Sequence, residues 1–158
     1  MHFHHMCVVT RNLDRQIAFW RDMMGFDLAV RMSIPDGEDF GLTVLAPRSL
    51  MRDTLGHPDA RATVALMTSK DGAMIELLAP EQPDVETTPP EKLLYRHTGI
   101  HELGLTVDDI DAFFAKVEAA GYRVQTPYVW SCGNMGRSFI FYDPEGNMIQ
   151  MWQLPRAT

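Results

Sequence analysis

Cysteine is scarce in this chain, with Cys7 and Cys132 the only two. A single possible pair builds no disulfide framework, and such sparing use fits a reducing cytoplasm, the expected location. Long apolar runs are missing too. No stretch approaches the ~20 residues that a membrane-crossing helix needs, so no membrane is expected as a partner. The opening MHFHHMCVVT has neither the basic flank nor the apolar stretch of a secretory signal, and its histidines are too interrupted for an expression tag. Basic charge is in deficit: 14 Lys and Arg against 21 Asp and Glu leave a net charge of −7. That balance argues against nucleic acid or an anionic surface as the main partner.

What is present suits a soluble domain. Hydrophobic residues make up 46% and charged residues 22%, enough apolar material for a core. A length of 158 residues suits one well-buried domain or two small similar modules. The first ten residues end as a strand at Val8 and Val9. Leu13, Ile17, Trp20 and Met24 then recur at helical spacing, with Asn12 or Asp14 as cap and Gly25 as stop. FDLAVRMS, ARATVALMT and AMIELLA read as strands, the last two joined at Lys70-Asp71-Gly72. Residues 34–60 form an irregular insertion with a short helix expected near Ser49 to Leu55. Residues 81–98 are proline-rich and read as a linker. The pattern then restarts: GIHELGLTV as strand, DDIDAFFAKVEAAG as helix behind Asp108-Asp109, YRVQTPYV as strand, and a hairpin from GRSFIFYD and NMIQMWQL around the DPEGN turn.

The restart is an internal repeat. Moving the second half back by 97 residues sets His101-Glu102 on His4-His5 and Ile110-Asp111 on Leu13-Asp14. Moving it by 74 instead sets EGNMIQMW on DGAMIELL, and 97 − 74 leaves about 23 extra residues in the first half, the irregular insertion. The expected architecture is α+β, two tandem βαβββ modules forming a cupped mixed sheet. The first module covers 1–80 with its insertion, and the second covers 99–158. The repeat pairs Gln150 with Glu76 and Glu102 with His5. Each is a polar side chain in a strand otherwise apolar, where burial is costly without a partner. If the modules are related by a pseudo-twofold, the four converge as one imidazole, two carboxylates and one amide. Such a mixed N/O set suits Zn, Ni, Co, Mn or Fe.

These stretches resemble the vicinal oxygen chelate superfamily, which holds glyoxalase I, methylmalonyl-CoA epimerase, extradiol dioxygenases, and fosfomycin- and bleomycin-resistance proteins. FHHMCVVTRNLDRQIAFWRDMMGF is similar to the family's opening strand and helix, and DGAMIELLAPEQP to the strand closing its first module. GIHELGLTVDDIDAFFAKVEAAG and FIFYDPEGNMIQMW resemble the opening and close of its second. The resemblance implies a glyoxalase-like fold, a homodimer, and a divalent metal held by His5, Glu76, Glu102 and Gln150. It also implies a metal-dependent lyase or isomerase of a small carbonyl-bearing substrate. Its metal would polarise substrate oxygens and stabilise an enolate, and Glu76 or Glu102 would carry the proton. The third position, usually His, is Glu102 here, and the fourth, usually Glu, is Gln150. Ring cleavage, which needs two His and one carboxylate, is therefore not expected.

Blander roles stand beside these. His5 could bond a strand neighbour, Glu76 could pair with Arg61 or Arg137, and Gln150 could make a structural hydrogen bond. Arg137 is the candidate for a substrate carboxylate or phosphate, and Trp130, Tyr128 and Phe40 for the apolar wall of a small-molecule site. The competing functions are a metal-free ligand-binding protein of the bleomycin-resistance type and a tailoring enzyme on an aromatic metabolite.

Overall fold

Asn12 starts the first helix: its side chain accepts the backbone N–H of Arg15 at 3.0 Å, so Asn12 rather than Asp14 is the cap. The helix α1, Leu13–Ala18, widens into a π-helical turn over Phe19–Met23, where Met24 N–H reaches the Phe19 carbonyl at 3.2 Å. That turn sets Phe19, Trp20 and Met23 into the core, with Trp20 fully buried. The computed structural model describes residues 2–155. They fall into two compact units that meet in sequence at Thr87 and Thr88.

In the first unit, β1 (Met6–Val9), β2 (Asp27–Ile34), β3 (Arg61–Thr68) and β4 (Met74–Gln82) form a mixed sheet in the order β1-β4-β3-β2. The β1/β4 pair is parallel and the other two are antiparallel. The insertion carries the expected helix, α2 (Arg48–Leu55). Its buried Met51 packs with Ile34, Ala46, Ala60, Ala62 and Val64, so the insertion has an apolar anchor on the sheet. Asp36 closes the loop ahead of it, accepting backbone N–H groups of Leu45 and Ala46, each at 2.8 Å.

The second unit repeats this plan. β5 (Glu102–Thr106), β6 (Trp130–Ser131), β7 (Arg137–Tyr142) and β8 (Met148–Gln153) take the order β5-β8-β7-β6, again with one parallel pair, β5/β8. The helix α3 (Ile110–Ala119) is capped by Asp109, which accepts the Ala112 N–H at 3.0 Å. Phe139 and Phe141 are fully buried and meet Phe113 and Phe114 of that helix edge-on or tilted. The two units therefore form two four-stranded mixed sheets in an α+β fold.

One expected strand is corrected. YRVQTPYV, residues 122–129, forms no ladder; it keeps an isolated bridge from Val124 to Phe141, and the edge strand is the short pair Trp130-Ser131. Pro127 has no N–H to donate and breaks the run before pairing can extend. In the final hairpin, Asp143 Oδ1 accepts the N–H groups of Glu145 and Asn147 at 2.9 and 2.8 Å, which fixes the DPEGN turn.

Candidate functional site

Strand register is what positions the polar residues. In the first sheet Glu76 lies opposite Cys7 in β1 and Leu66 in β3. In the second, Gln150 lies opposite Gly104 in β5 and Ile140 in β7. Adding 97 to Cys7 gives Gly104, and adding 74 to Glu76 and Leu66 gives Gln150 and Ile140. The offsets read from the sequence are thus the registers of both sheets.

Unit one brings His5 and Glu76 together. His5 lies just ahead of β1, two residues before Cys7 and hence on the same side of that chain. Its Nε2 is 3.2 Å from Glu76 Oε2, and the two side chains are 36% and 26% exposed. The other carboxylate oxygen, Oε1, accepts from the Cys7 thiol at 3.8 Å. His4 Nδ1 stands 2.7 Å from His5 Nδ1. With Nε2–H of a neutral His5 turned to Glu76, His5 Nδ1 is the acceptor and His4 Nδ1–H the donor. The chain His4–His5–Glu76–Cys7 is then fully hydrogen-bonded. Packing around the sulfur, and then the Glu76 carboxylate beside it, push the Cys7 thiol up to about 11. Cys7 is thus a neutral donor to Glu76 at neutral pH, with little thiolate character.

In unit two, Glu102 opens β5 and accepts a hydrogen bond from the Tyr95 hydroxyl. Loss of water around the phenol, then the Glu102 carboxylate, raise the Tyr95 hydroxyl above its ordinary range. Gln150 is half-buried, and its amide makes no hydrogen bond among the described residues. His101 turns away from this group: its ring nitrogens face the carbonyls of Leu93, at 3.4 Å, and of His97.

The residues proposed to touch substrate are less gathered. Arg137 holds Asp111 in a two-pronged pair, at 2.6 and 2.8 Å, which keeps the Asp111 carboxyl low and the guanidinium high. Trp130 packs beside Ile140, Tyr142 and Met148. Tyr128 is 59% exposed, and Phe40, in the insertion of unit one, is 74% exposed. Arg61 pairs with Glu81, so Glu76 uses neither Arg61 nor Arg137. Two partners escaped the sequence reading. Cys7 carried a signal, since the repeat sets it against Gly104 on the register of Glu76. Tyr95 carried none, because it lies in the segment read as a linker.

Among the described residues, no three His, Cys, Asp or Glu side chains form a group able to hold a metal ion. Within unit one, an imidazole and a carboxylate lie 3.2 Å apart, a donor pair of the kind divalent cations accept; within unit two, Glu102 offers a carboxylate and Gln150 an amide.

No curated protein sequence is significantly similar to the chain. Solved structures are similar along nearly all of it. A glyoxalase family protein from Bacillus cereus aligns with a TM-score of 0.78 at 20% identity, over 98% of this chain and 94% of that one. The trypanothione-dependent glyoxalase I of Leishmania major aligns at 0.63 and 13% identity, over 97% and 86%. TnmS3, an antibiotic-binding protein from a Streptomyces species, aligns at 0.52 and 22% identity, over 98% of each chain. At these identities the likeness is one of fold. The family model for the glyoxalase, bleomycin resistance protein and dioxygenase superfamily matches residues 2–151, and with the repeated β1-β4-β3-β2 sheet this chain belongs to that superfamily.

Proposed function

We propose that the chain is a divalent-metal-dependent lyase or isomerase that moves a proton beside a carbonyl group of a small oxygenated substrate. The supporting observation is the paired register. Two sheets of one repeat carry donor side chains at the same positions, His5 and Glu76 in one, Glu102 and Gln150 in the other. Glu76, Glu102 and Gln150 are half-buried in otherwise apolar strands, where an unpartnered polar side chain costs free energy, and exposed His5 lies beside Glu76. When bound, the cation (Zn, Ni, Co, Mn or Fe) supplies Lewis acidity to the substrate oxygens.

The chain's own residues supply the rest. Glu76 is the proton carrier: its carboxylate is partly open to solvent, and His5 and Cys7 hold its two oxygens in place. Glu102 is the alternative carrier, with the Tyr95 hydroxyl orienting it. Trp130, Tyr128 and Phe40 offer apolar contact to the substrate, and Arg137 reads an anionic group only by giving up part of its fork to Asp111. The reading includes a homodimer in the cytoplasm, the former testable by light scattering.

Elemental analysis of protein purified without chelator or a nickel column tests the proposal. One equivalent of metal per chain is expected, and the Glu76→Gln variant should lose it. No metal, together with no thermal shift from Ni, Co, Zn or Mn, would sink it. A second reading, a metal-free binding protein, is favoured by one observation: the Glu102 carboxylate is already engaged by Tyr95. It predicts a ligand that shifts the unfolding temperature and is released unchanged.

A further inference from the structure

At one end of the first sheet, across β2, β3 and β4, lies a cavity of about 630 Å³. Its lining comes from the end of β2, Arg48 at the start of α2, the turn after that helix, the start of β3 and the end of β4, and the Arg48 guanidinium is held by Glu38 at 2.9 and 3.1 Å. Ile34 and Ala62, at 7% and 1% exposure, give it an apolar floor. Its walls are charged. Arg61 donates through Nε to Glu81 at 3.2 Å, and its two Nη groups make no protein hydrogen bond among the described residues. Neither does the Asp59 carboxylate, and Asp59 and Arg61 form no ion pair with each other. His57 is held in one tautomer: its Nδ1 accepts the Asp59 backbone N–H at 3.1 Å, which leaves Nε2–H as a donor for a neutral ring.

The cavity therefore carries an open cationic fork, an imidazole N–H and an open carboxylate above apolar ground. A guanidinium fork matches a carboxylate in two-pronged geometry. An aspartate carboxylate with no hydrogen-bond partner, facing Arg48 only at longer range, matches an ammonium group and repels a ligand that carries only negative charge. The floor takes an apolar side chain, and the volume falls within the range of ligand pockets, about 300–1,000 Å³.

We infer that this cavity is a second binding site, for the zwitterionic backbone of an apolar α-amino acid or of a short peptide made of them. Arg61 and His57 take the carboxylate, Asp59 takes the ammonium, and Ile34 and Ala62 take the side chain. None of these residues belongs to the donor set of the proposed function, so the two readings stand or fall separately.

Calorimetric titration of the whole chain with leucine, N-acetyl-leucine and leucinamide tests it. Leucine should bind at least ~10-fold tighter than either blocked form, a gap of about one decade in Kd. Asp59→Asn should remove the preference for leucine over N-acetyl-leucine. Arg61→Gln should weaken both acids while leaving leucinamide unchanged, with circular dichroism checking that the sheet is intact. His57→Gln gives the same reading, to a smaller extent, if Arg61→Gln unfolds. No binding of leucine at millimolar concentration overturns the assignment. So does binding that ignores Asp59→Asn, or inorganic phosphate binding tighter than leucine. Metal content is unaffected by any of these outcomes.

Discussion

Glu76 has a partner on each oxygen before any ligand arrives, and Cys7 is the one whose behaviour can be followed directly. Its thiol is pushed up to about 11 by packing first and by Glu76 second. A raised thiol pKa means less thiolate at every pH below it. At pH 8 the thiolate fraction is then on the order of 10⁻³, against roughly 0.2 for an ordinary thiol of pKa ~8.5. In a Cys132→Ser background, labelling of Cys7 by a disulfide reagent should be slow at pH 8 and rise steadily up to about pH 11. Glu76→Gln removes the second cause, and labelling at pH 8 should then speed up several-fold. Equal rates in the two proteins would show that Glu76 does not hold the thiol. The same residue explains why part of the site was hard to read. An isolated Cys beside apolar strand residues looks like core filler, and only its place on the register of Glu76 distinguishes it.

Elements record the repeat more plainly than residues do. Pairing of Met6 with Ile75 and of Leu103 with Ile149 reproduces the offsets of 97 and 74, because strand register is set by which face carries apolar side chains. Helix starts were equally legible, since Asn12 and Asp109 belong to the short polar residues that cap an N-terminus. The edge strand and the π-helical turn were not. A two-residue strand is decided by its neighbour, β7, and a widened turn by the packing of Trp20, neither of which is a local signal. The hairpin between β6 and β7 makes a sharp prediction. Gly136 sits at φ +121 with Gln153 backbone behind it, so an added Cβ would run into that carbonyl oxygen. Gly133, at φ +64, has open space around it. Gly136→Ala should cost on the order of 3 kcal/mol and Gly133→Ala about 1, measured by urea unfolding. Equal costs would mean that the Gln153 backbone yields.

The insertion gives a pH-dependent counterpart at the same scale. Backbone N–H groups of Leu45 and Ala46 hold the Asp36 carboxyl below its ordinary value. A folded pKa below the unfolded one means that Asp36 stabilises fully above the unfolded value, ~3.9, and less as pH falls through the folded one. The stability gap between wild type and Asp36→Asn should therefore be widest near neutrality and close below about pH 4. A gap that widens in acid would contradict this role.

For the whole molecule, the sequence repeat carried both the family resemblance and the four polar strand positions; the charges carried neither. Each unit has its own sheet, its own aromatic or aliphatic core and its own pair of polar strand residues. Neither pair fills a four-coordinate shell alone, so the metal proposed above is tested by variants in each pair. Glu76→Gln and Gln150→Ala should each weaken Co or Ni binding at least ~10-fold, about 1.4 kcal/mol, in competition with a coloured chelator. If the two side chains hold one ion, the double variant should lose less than the product of the two single losses, because ligands to a shared centre are coupled. Losses that multiply without coupling would assign the residues to separate roles. Loss from Glu76→Gln alone would confine the cation to the His5–Glu76 pair and return Gln150 to a purely structural place in β8.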